Sequence, residues 1–290
     1  ESKDLDTLII PILGDIRDIN NLNNIFKRFQ IDQIYHAAAY KHVPLVENEN
    51  NLAIAAENNI LGTYNLAQVA VSNNVKSFVM ISTDKAVRPT NVMGATKRFA
   101  EIIIQSINAS SDVTRFSMVR FGNVINSSGS VIPLFLDQIS KGGPVTVTDK
   151  NVTRFFMTIP EASSLVLQAG EMSTGGEVFI LDMGEQIKIY DLAKKLIHLS
   201  GRNYLDEEDQ ANEGIQILEV GMRKGEKMYE ELLISGSEIK TDNPKIFKAN
   251  ESYIQLDNLQ PVLKKMEESI KNYDNTKILS ILKENVEGFA

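Results

Sequence analysis

The sequence predicts an α/β protein built on a doubly wound parallel sheet, with a smaller C-terminal α/β lobe over its edge. Three observations carry this expectation. Short apolar runs alternate with stretches of helical spacing through about the first 125 residues, the pattern of βαβ units with right-handed crossovers. Polar clusters follow three of those runs, "HAAAYKHVPLVE" (36–47), "STDKA" (82–86) and "RFGNVINSSGS" (120–130), as where a crevice opens at the carboxyl ends of parallel strands. Beyond residue 125 loop residues, single helical stretches and short strands mix without that rhythm.

Taken in order, 7–14 ("TLIIPILG") reads as a strand, 20–29 as a helix and 33–39 as a strand leaving into a small-residue turn. Residues 51–73 carry helical spacing with an asparagine at each end, suited to capping. A buried strand at 76–82, a helix at 91–107 and a strand at 115–122 follow. The stretch 126–149 holds loop residues, one helical segment and a short strand. A helix at 160–170 opens on Pro160, where proline's missing N–H costs nothing. Then come a strand at 177–184, a helix at 189–201, a solvated acidic loop at 203–214, a strand at 215–221 and two terminal helices from 255.

The chain has 290 residues, 43% hydrophobic and 23% charged, ordinary for a globular protein with a sizeable core. A net charge of −8 argues against wholesale nucleic-acid binding and leaves an anionic ligand needing a local basic pocket. The absence of cysteine excludes disulfides and thiolate chemistry and fits a reducing compartment. No apolar run is long enough to span a bilayer and no signal peptide is recognisable, so a cytoplasmic location is expected. The three histidines, His36, His42 and His198, make no metal set, and none is expected.

The segment "ISTDKAVRPTNVMGATKR" (81–98) is the most informative. It places a carboxylate beside an amine, Asp84 and Lys85, directly after an apolar strand, and then Met93 four residues before Lys97. Alone, an Asp–Lys neighbour pair is a surface ion pair worth under ~1 kcal/mol, and Met93 is a core residue at a helix start. In company with "GDIRD", "HAAAYKHVPLVE", "NNILGT", "VRFGNV", "SSGSVIPLF", "TRFFMTIPEA" and "MRKGEKMYEELL", in this order from about residue 12 to about residue 248, it resembles the polysaccharide-biosynthesis UDP-N-acetylglucosamine 4,6-dehydratases of the extended short-chain dehydrogenase/reductase superfamily.

That resemblance implies a Rossmann-like NAD-binding domain over 1–126, to which 159–185 returns, and a nucleotide-sugar lobe with C-terminal helices over most of 127–290. It implies a redox-neutral reaction on a UDP-N-acetylhexosamine with NAD as cofactor: oxidation at C4, loss of water across C5 and C6, and return of the hydride to C6. Asp84 would be the acid toward the C6 oxygen, Lys85 the base toward C5, and Thr83 a hydrogen-bond partner of the C4 oxygen. A lysine can serve as base only if burial or a nearby cation lowers its pKa, and the Asp84 carboxylate pushes the other way. In the superfamily at large a tyrosine stands where Met93 is and takes the C4 hydroxyl proton; methionine matches the subgroup without it, leaving that step to Asp84 or a water. Lys97 would hold the nicotinamide ribose. Asp15 and Ile16 would meet the adenine, Ala37, Ala38 and Ala39 would let the backbone approach the cofactor, and Asn59 is the structural asparagine near the central strands. Lys41, His42, Asn123, Ser130 and Val131 would contact substrate. Arg154 and Arg223 would face diphosphate or uridine, where a planar guanidinium suits phosphate oxygens, and Glu226 would accept from ribose hydroxyls. From the residues alone, capping a loop explains Arg154 and beginning a helix explains Glu226 equally.

The sequence departs from the pattern at its start. No Gly-x-Gly-x-x-Gly turn precedes "TLIIPILGD", although such a turn holds the pyrophosphate in this fold, so two strands and a helix are expected to come from outside the sequence as given. Larger members carry an N-terminal membrane region, which would place the parent protein at the cytoplasmic membrane face. Lys224 stands where proline is expected, and Asn243 where histidine is frequent. A C5-inverting dehydratase, a nucleotide-sugar 4-epimerase and an inactive nucleotide-sugar-binding fragment are the alternatives. A homo-oligomer is expected, with the helices at 51–73 and 91–107 as candidate pairing faces.

Overall fold

The computed structural model describes residues 8–205, 214–232 and 238–289. Helix α1 (Ile19–Arg28) is capped by Asp18, whose carboxylate accepts from the Asn20 and Asn21 amides. Strand β1 (Gln33–His36) follows, then α2 (Val43–Val46) and α3 (Glu49–Ala56), which continues through a π-helical turn (Glu57–Gly62) into α4 (Thr63–Ser72). Strand β2 (Ser77–Ile81) leads into a short turn at Asp84–Ala86 and then α5 (Val92–Ala109). Beyond β3 (Arg115–Arg120) come β4 (Asn123–Val124), α6 (Val131–Ser140), β5 (Val145–Val147), β6 (Thr153–Arg154), β7 (Phe156–Met157) and α7 (Ile159–Glu171). The chain continues with β8 (Val178–Leu181), β9 (Ile187–Lys188), α8 (Ile189–Leu199), β10 (Tyr204–Leu205) and β11 (Ile215–Glu219). It closes with β12 (Ile239–Lys240), β13 (Ile246–Ala249), α9 (Leu256–Lys271) and α10 (Asn275–Asn285).

The main sheet runs β1-β2-β3-β8-β13-β12. Its first four strands are parallel, and β13 turns antiparallel against β8. Val79 in the middle of β2 pairs with Tyr35 on one side and Ser117 on the other. A strand covered on both faces by helices reads as continuous apolar sequence, and β2 has its first four residues buried. A second, three-stranded sheet, β10-β11-β5, packs with α6 and α8 around Phe135, Val145 and Ile197 as a separate small core.

Four sequence expectations change. Residues 8–14 form no strand: Leu8 is 83% and Leu13 100% exposed, and among the described residues no neighbouring strand lies beside them to supply a ladder. The segment expected as an acidic loop contributes β10 through Tyr204 and Leu205, paired to β11, while 206–213 lie outside the described residues. The tail does not stay with the second lobe, since β13 and β12 extend the main sheet. Finally, α5 is not free to pair with another copy: every residue from Val92 to Ile107 is buried, with α9 and α10 of the same chain packed against it.

Burying α5 also buries its polar residues, and these find partners. Arg120 Nη2 meets Glu101 Oε2 at 2.6 Å and Arg98 Nη1 meets the same oxygen at 3.1 Å. Glu251, just past β13, takes Arg98 and Arg120 at 3.2 and 2.5 Å. Burial alone would raise the Glu101 carboxyl, but Arg120, Arg98 and the Ser82 hydroxyl hold it down to about 2. Removing one member of such a group strands the opposite charges. Glu101→Gln should therefore lower the unfolding free energy by about 3–5 kcal/mol, measured by denaturant titration. Its contribution to wild-type stability is present above 4.5 and is lost as pH falls through about 2, and the variant should lack that part of the acid sensitivity.

Candidate active site

The carboxyl ends of β1, β2 and β3 open onto one cavity of about 880 Å³, closed on the far side by α6, β5 and the loop at 223–230. Such an opening is where parallel sheets bind ligands. A smaller cavity of about 360 Å³ lies against α9, lined by Arg17, Tyr64 and Lys264 among others, away from these strand ends.

The Asp84–Lys85 pair is held from below. Ser82, the residue after β2, donates to Glu101 Oε1 at 2.6 Å, and the Asp84 amide donates to the Phe121 carbonyl at 3.1 Å. Asp84 Oδ1 receives the Thr83 hydroxyl at 2.9 Å and Lys85 Nζ at 3.0 Å. Its other oxygen, Oδ2, is buried with no hydrogen-bond partner among the described residues. Thr83 and Lys85 line the cavity, whereas the Asp84 side chain is wholly buried behind them.

The proton affinity of Lys85 follows from this packing. Burial, the largest single influence, pulls the ammonium down. The carboxylates of Asp84 and Glu230 outweigh it and hold Lys85 above its ordinary 10.5, with Arg154 opposing them. The cation facing Lys85 is thus Arg154 rather than Lys97.

Helix α5 begins with Asn91 as cap, its side chain accepting from the Gly94 amide at 2.8 Å, and Glu47 Oε1 accepts from the Val92 amide at 2.5 Å. Gly94 is required by contact: a Cβ there would sit 2.2 Å from the Lys85 carbonyl oxygen. Met93 faces the cavity with 3% of its surface exposed, and Lys97 lines it one turn later. Lys97 Nζ donates to the Ile81 carbonyl at 2.7 Å. Burial draws Lys97 down to about 8, against the pull of Glu101. Burial, helped by the Lys97 charge, also keeps His36 neutral at about 3, with its ring bonded to the Thr63 hydroxyl at 2.9 Å.

Of the other residues singled out in the sequence, Ala37, Ala39, Lys41, His42, Asn123, Ser130 and Val131 line the same cavity. His42 packs on Gly129, whose φ of +70° and missing Cβ both suit it to that contact. Arg154, Arg223 and Glu226 also line the wall, but Arg154 does not offer a free guanidinium. It bonds the Thr153 and Met228 carbonyls at 2.7 and 3.3 Å and Glu226 at 3.1 Å. Glu226 is likewise engaged, accepting from the Thr148 hydroxyl at 2.9 Å. Arg223 and Lys41 remain exposed on the cavity rim.

Besides Asp84, buried behind Thr83 and Lys85, four predicted residues do not reach the cavity wall. Ala38 is exposed beside it. Asp15 is occupied by Arg17, at 2.6 Å and through three further bonds, which hold its carboxyl below the usual range. Ile16 packs under Gly62. Asn59 spends its amide on the Tyr40 backbone and the Thr96 hydroxyl, fixing the loop after β1 to α5. Gly94, Glu101 and Glu230 were missed. Only the fixed spacing of Gly94 from Met93 and Lys97 could have pointed to any of them. Asn243, flagged as a departure, bonds Gln168 of α7 at 2.8 Å.

A carboxylate–ammonium pair at a strand end, a helix-start lysine one turn from Met93, and a parallel sheet define a Rossmann-like fold of the extended short-chain dehydrogenase/reductase type. Residues 1–251 match the polysaccharide biosynthesis protein family, and the chain belongs to it. It is 51% identical over 275 residues to the capsular polysaccharide biosynthesis protein CapD of Staphylococcus aureus, covering 94% of this chain and 43% of CapD. It is 36% identical over 233 residues to a UDP-glucose 4-epimerase of Rickettsia rickettsii, covering 80% of this chain and 64% of the relative. The X-ray structure of Pen from Bacillus thuringiensis superposes with a TM-score of 0.73 at 38% identity, over 84% of this chain and 73% of Pen. The chain thus spans less than half the length of CapD.

The cost of burying Lys97 sets a pH dependence. Between about 8 and 10.5 the unfolded chain binds a proton that the folded one has released, so stability should rise with pH across that window. Denaturant titrations across it should show the rise in wild type and its loss in Lys97→Met.

Proposed function

We propose that this chain carries the catalytic part of an NAD-dependent nucleotide-sugar 4,6-dehydratase acting on a UDP-N-acetylhexosamine, in the making of a surface polysaccharide. The observation that carries the reading is the pairing of Asp84 with Lys85 at 3.0 Å beside a helix start that offers methionine, which has no proton to exchange. An epimerase needs its proton moved at the C4 hydroxyl, whereas a dehydratase must also remove a C5 proton and protonate the departing C6 oxygen. The cavity supplies two groups for the second task.

The residues present fit a dinucleotide. Small Ala37 and Ala39 leave the wall open beside the buried Lys97 ammonium, a donor of the kind ribose hydroxyls accept from. When bound, NAD supplies the acceptor and donor of hydride. The protein's own part is to place the sugar and move protons. Lys85 begins as an ammonium, and one proton passed along its hydrogen bond to Asp84 leaves an amine and a carboxylic acid. The amine takes the C5 proton and later returns it to C5, and the acid's proton reaches the leaving C6 oxygen by way of the Thr83 hydroxyl. The proton released from the C4 hydroxyl passes to Asp84, so the pair ends as it began. Arg223 and Lys41 on the rim supply positive charge for the diphosphate, while Arg154 holds the wall from within.

The test is mass spectrometry of UDP-N-acetylglucosamine incubated with the protein and NAD. Loss of one water from the sugar is expected, and proton couplings of the product then report the C5 configuration. A product of unchanged mass inverted at C4 would overturn the dehydratase in favour of the epimerase. Asp84→Asn and Lys85→Met should each cut turnover by about 10²–10⁴-fold. Gly94→Ala, by pushing on the Lys85 carbonyl, should cut it about 10²-fold.

A further inference from the structure

Glu230 has no part in the chemistry described so far, yet it is among the most deeply buried charged groups, with 3% of its side chain exposed. Its Oε1 lies 3.5 Å from Lys85 Nζ and 3.7 Å from Arg154 Nε. Its Oε2 is buried with no hydrogen-bond partner among the described residues. The backbone there is fixed, since Gln186 Nε2 donates to the Glu230 carbonyl at 3.1 Å and Gln186 Oε1 accepts from the Thr153 hydroxyl next to Arg154. A buried carboxylate with one oxygen unsatisfied costs stability, so packing alone gives no reason for a glutamate here. The lysine between two carboxylates does.

We propose that Glu230 is a positioning residue for the acid–base pair: it holds the Lys85 amine opposite Asp84 and sets how tightly that amine keeps its proton. The charged groups facing Lys85 are Asp84 from its own turn, Glu230 from the loop after Gly225, and Arg154 from β6. Those facing Glu230 are Lys85 and Arg154, and Arg154 is itself paired with Glu226. With its partner carboxylate only 3.0 Å away, Lys85 could lie against Asp84 in several rotamers, and the second carboxylate selects the one that faces the cavity. Asp84 and Lys85 share a mobile proton, and the pair stays competent until Lys85 gives that proton up to solvent. Glu230 extends the competent range upward in pH. This use of the pair rests on the dehydratase reading; the grip of Glu230 on Lys85 does not.

The experiment compares wild type with Glu230→Gln in two readouts. The first needs no turnover: NMR titration of lysines labelled with ¹³C at Cε, with Lys85 identified by the signal that Lys85→Arg removes. The Lys85 midpoint, above 10.5 in wild type, should fall by about one unit in Glu230→Gln. The second is the pH profile of water loss from UDP-N-acetylglucosamine, whose alkaline limb should move down by the same amount. Should Glu230→Gln fail to fold, Glu230→Asp keeps the charge but withdraws it by one methylene, and the midpoint should fall part of the way. A Lys85 midpoint unmoved in the folded variant overturns the proposal and leaves Glu230 a packing residue. A midpoint that moves in a protein that releases no water upholds the grip of Glu230 on Lys85 and overturns the dehydratase reading instead.

Discussion

Four charges largely withdrawn from solvent organise this molecule. Glu101 and Glu251 face Arg98 and Arg120 in one group, drawn from three parts of the architecture. Arg98 and Glu101 lie on the helix that follows the Asp84–Lys85 turn, Arg120 ends the strand beside it, and Glu251 comes from the segment after the last sheet strand. The Glu101 carboxylate also receives the Ser82 hydroxyl, so the arrangement that neutralises the core also fixes the residue from which Thr83, Asp84 and Lys85 depart. Charge pairs of this kind give little net stability compared with an apolar core, but they are unforgiving of rearrangement. That intolerance suits a turn that must keep a carboxylate and an amine in contact.

A second consequence concerns electrostatics at the cavity. Lys97, buried, and Lys85, half-buried, lie one short turn and one helix start apart, yet they respond oppositely. Lys97 has a single carboxylate at a distance and a backbone carbonyl as its partner, so burial prevails and its proton loosens. Lys85 sits between two carboxylates and its proton tightens. One fold thereby loosens the proton of one lysine and tightens that of another.

The parallel sheet, the crossover helices and the convergence of three strand ends were legible because they depend on local periodicity and on turn residues. The turn after β2 and the helix start beyond it were legible because the order Asp84, Lys85, Met93, Lys97 is fixed by chain distance. What could not be read depended on partners far away in sequence. Glu230 lies beside Lys85 only after 145 positions of intervening chain have folded, and nothing at "MYEELL" marks it as an active-site neighbour. Arg154 looked like a phosphate ligand because arginine so often is one, whereas Glu226 and two carbonyls had already claimed it. The apolar run at 8–13 had the composition of a strand, but a strand exists only with a neighbour to bond to.

Glu251 also gives the chain a sense of completion. A polypeptide is made from its amino end, so α5 and β3 emerge from synthesis carrying two guanidinium groups and, in Glu101, a single carboxylate to meet them. The second anion arrives only after 130 further residues beyond Arg120 have been joined. Until then the core of the sheet holds an uncompensated positive charge and cannot close dry. The order in which the ribosome delivers the parts therefore delays the sealing of this layer until the segment that straps it from behind has been made.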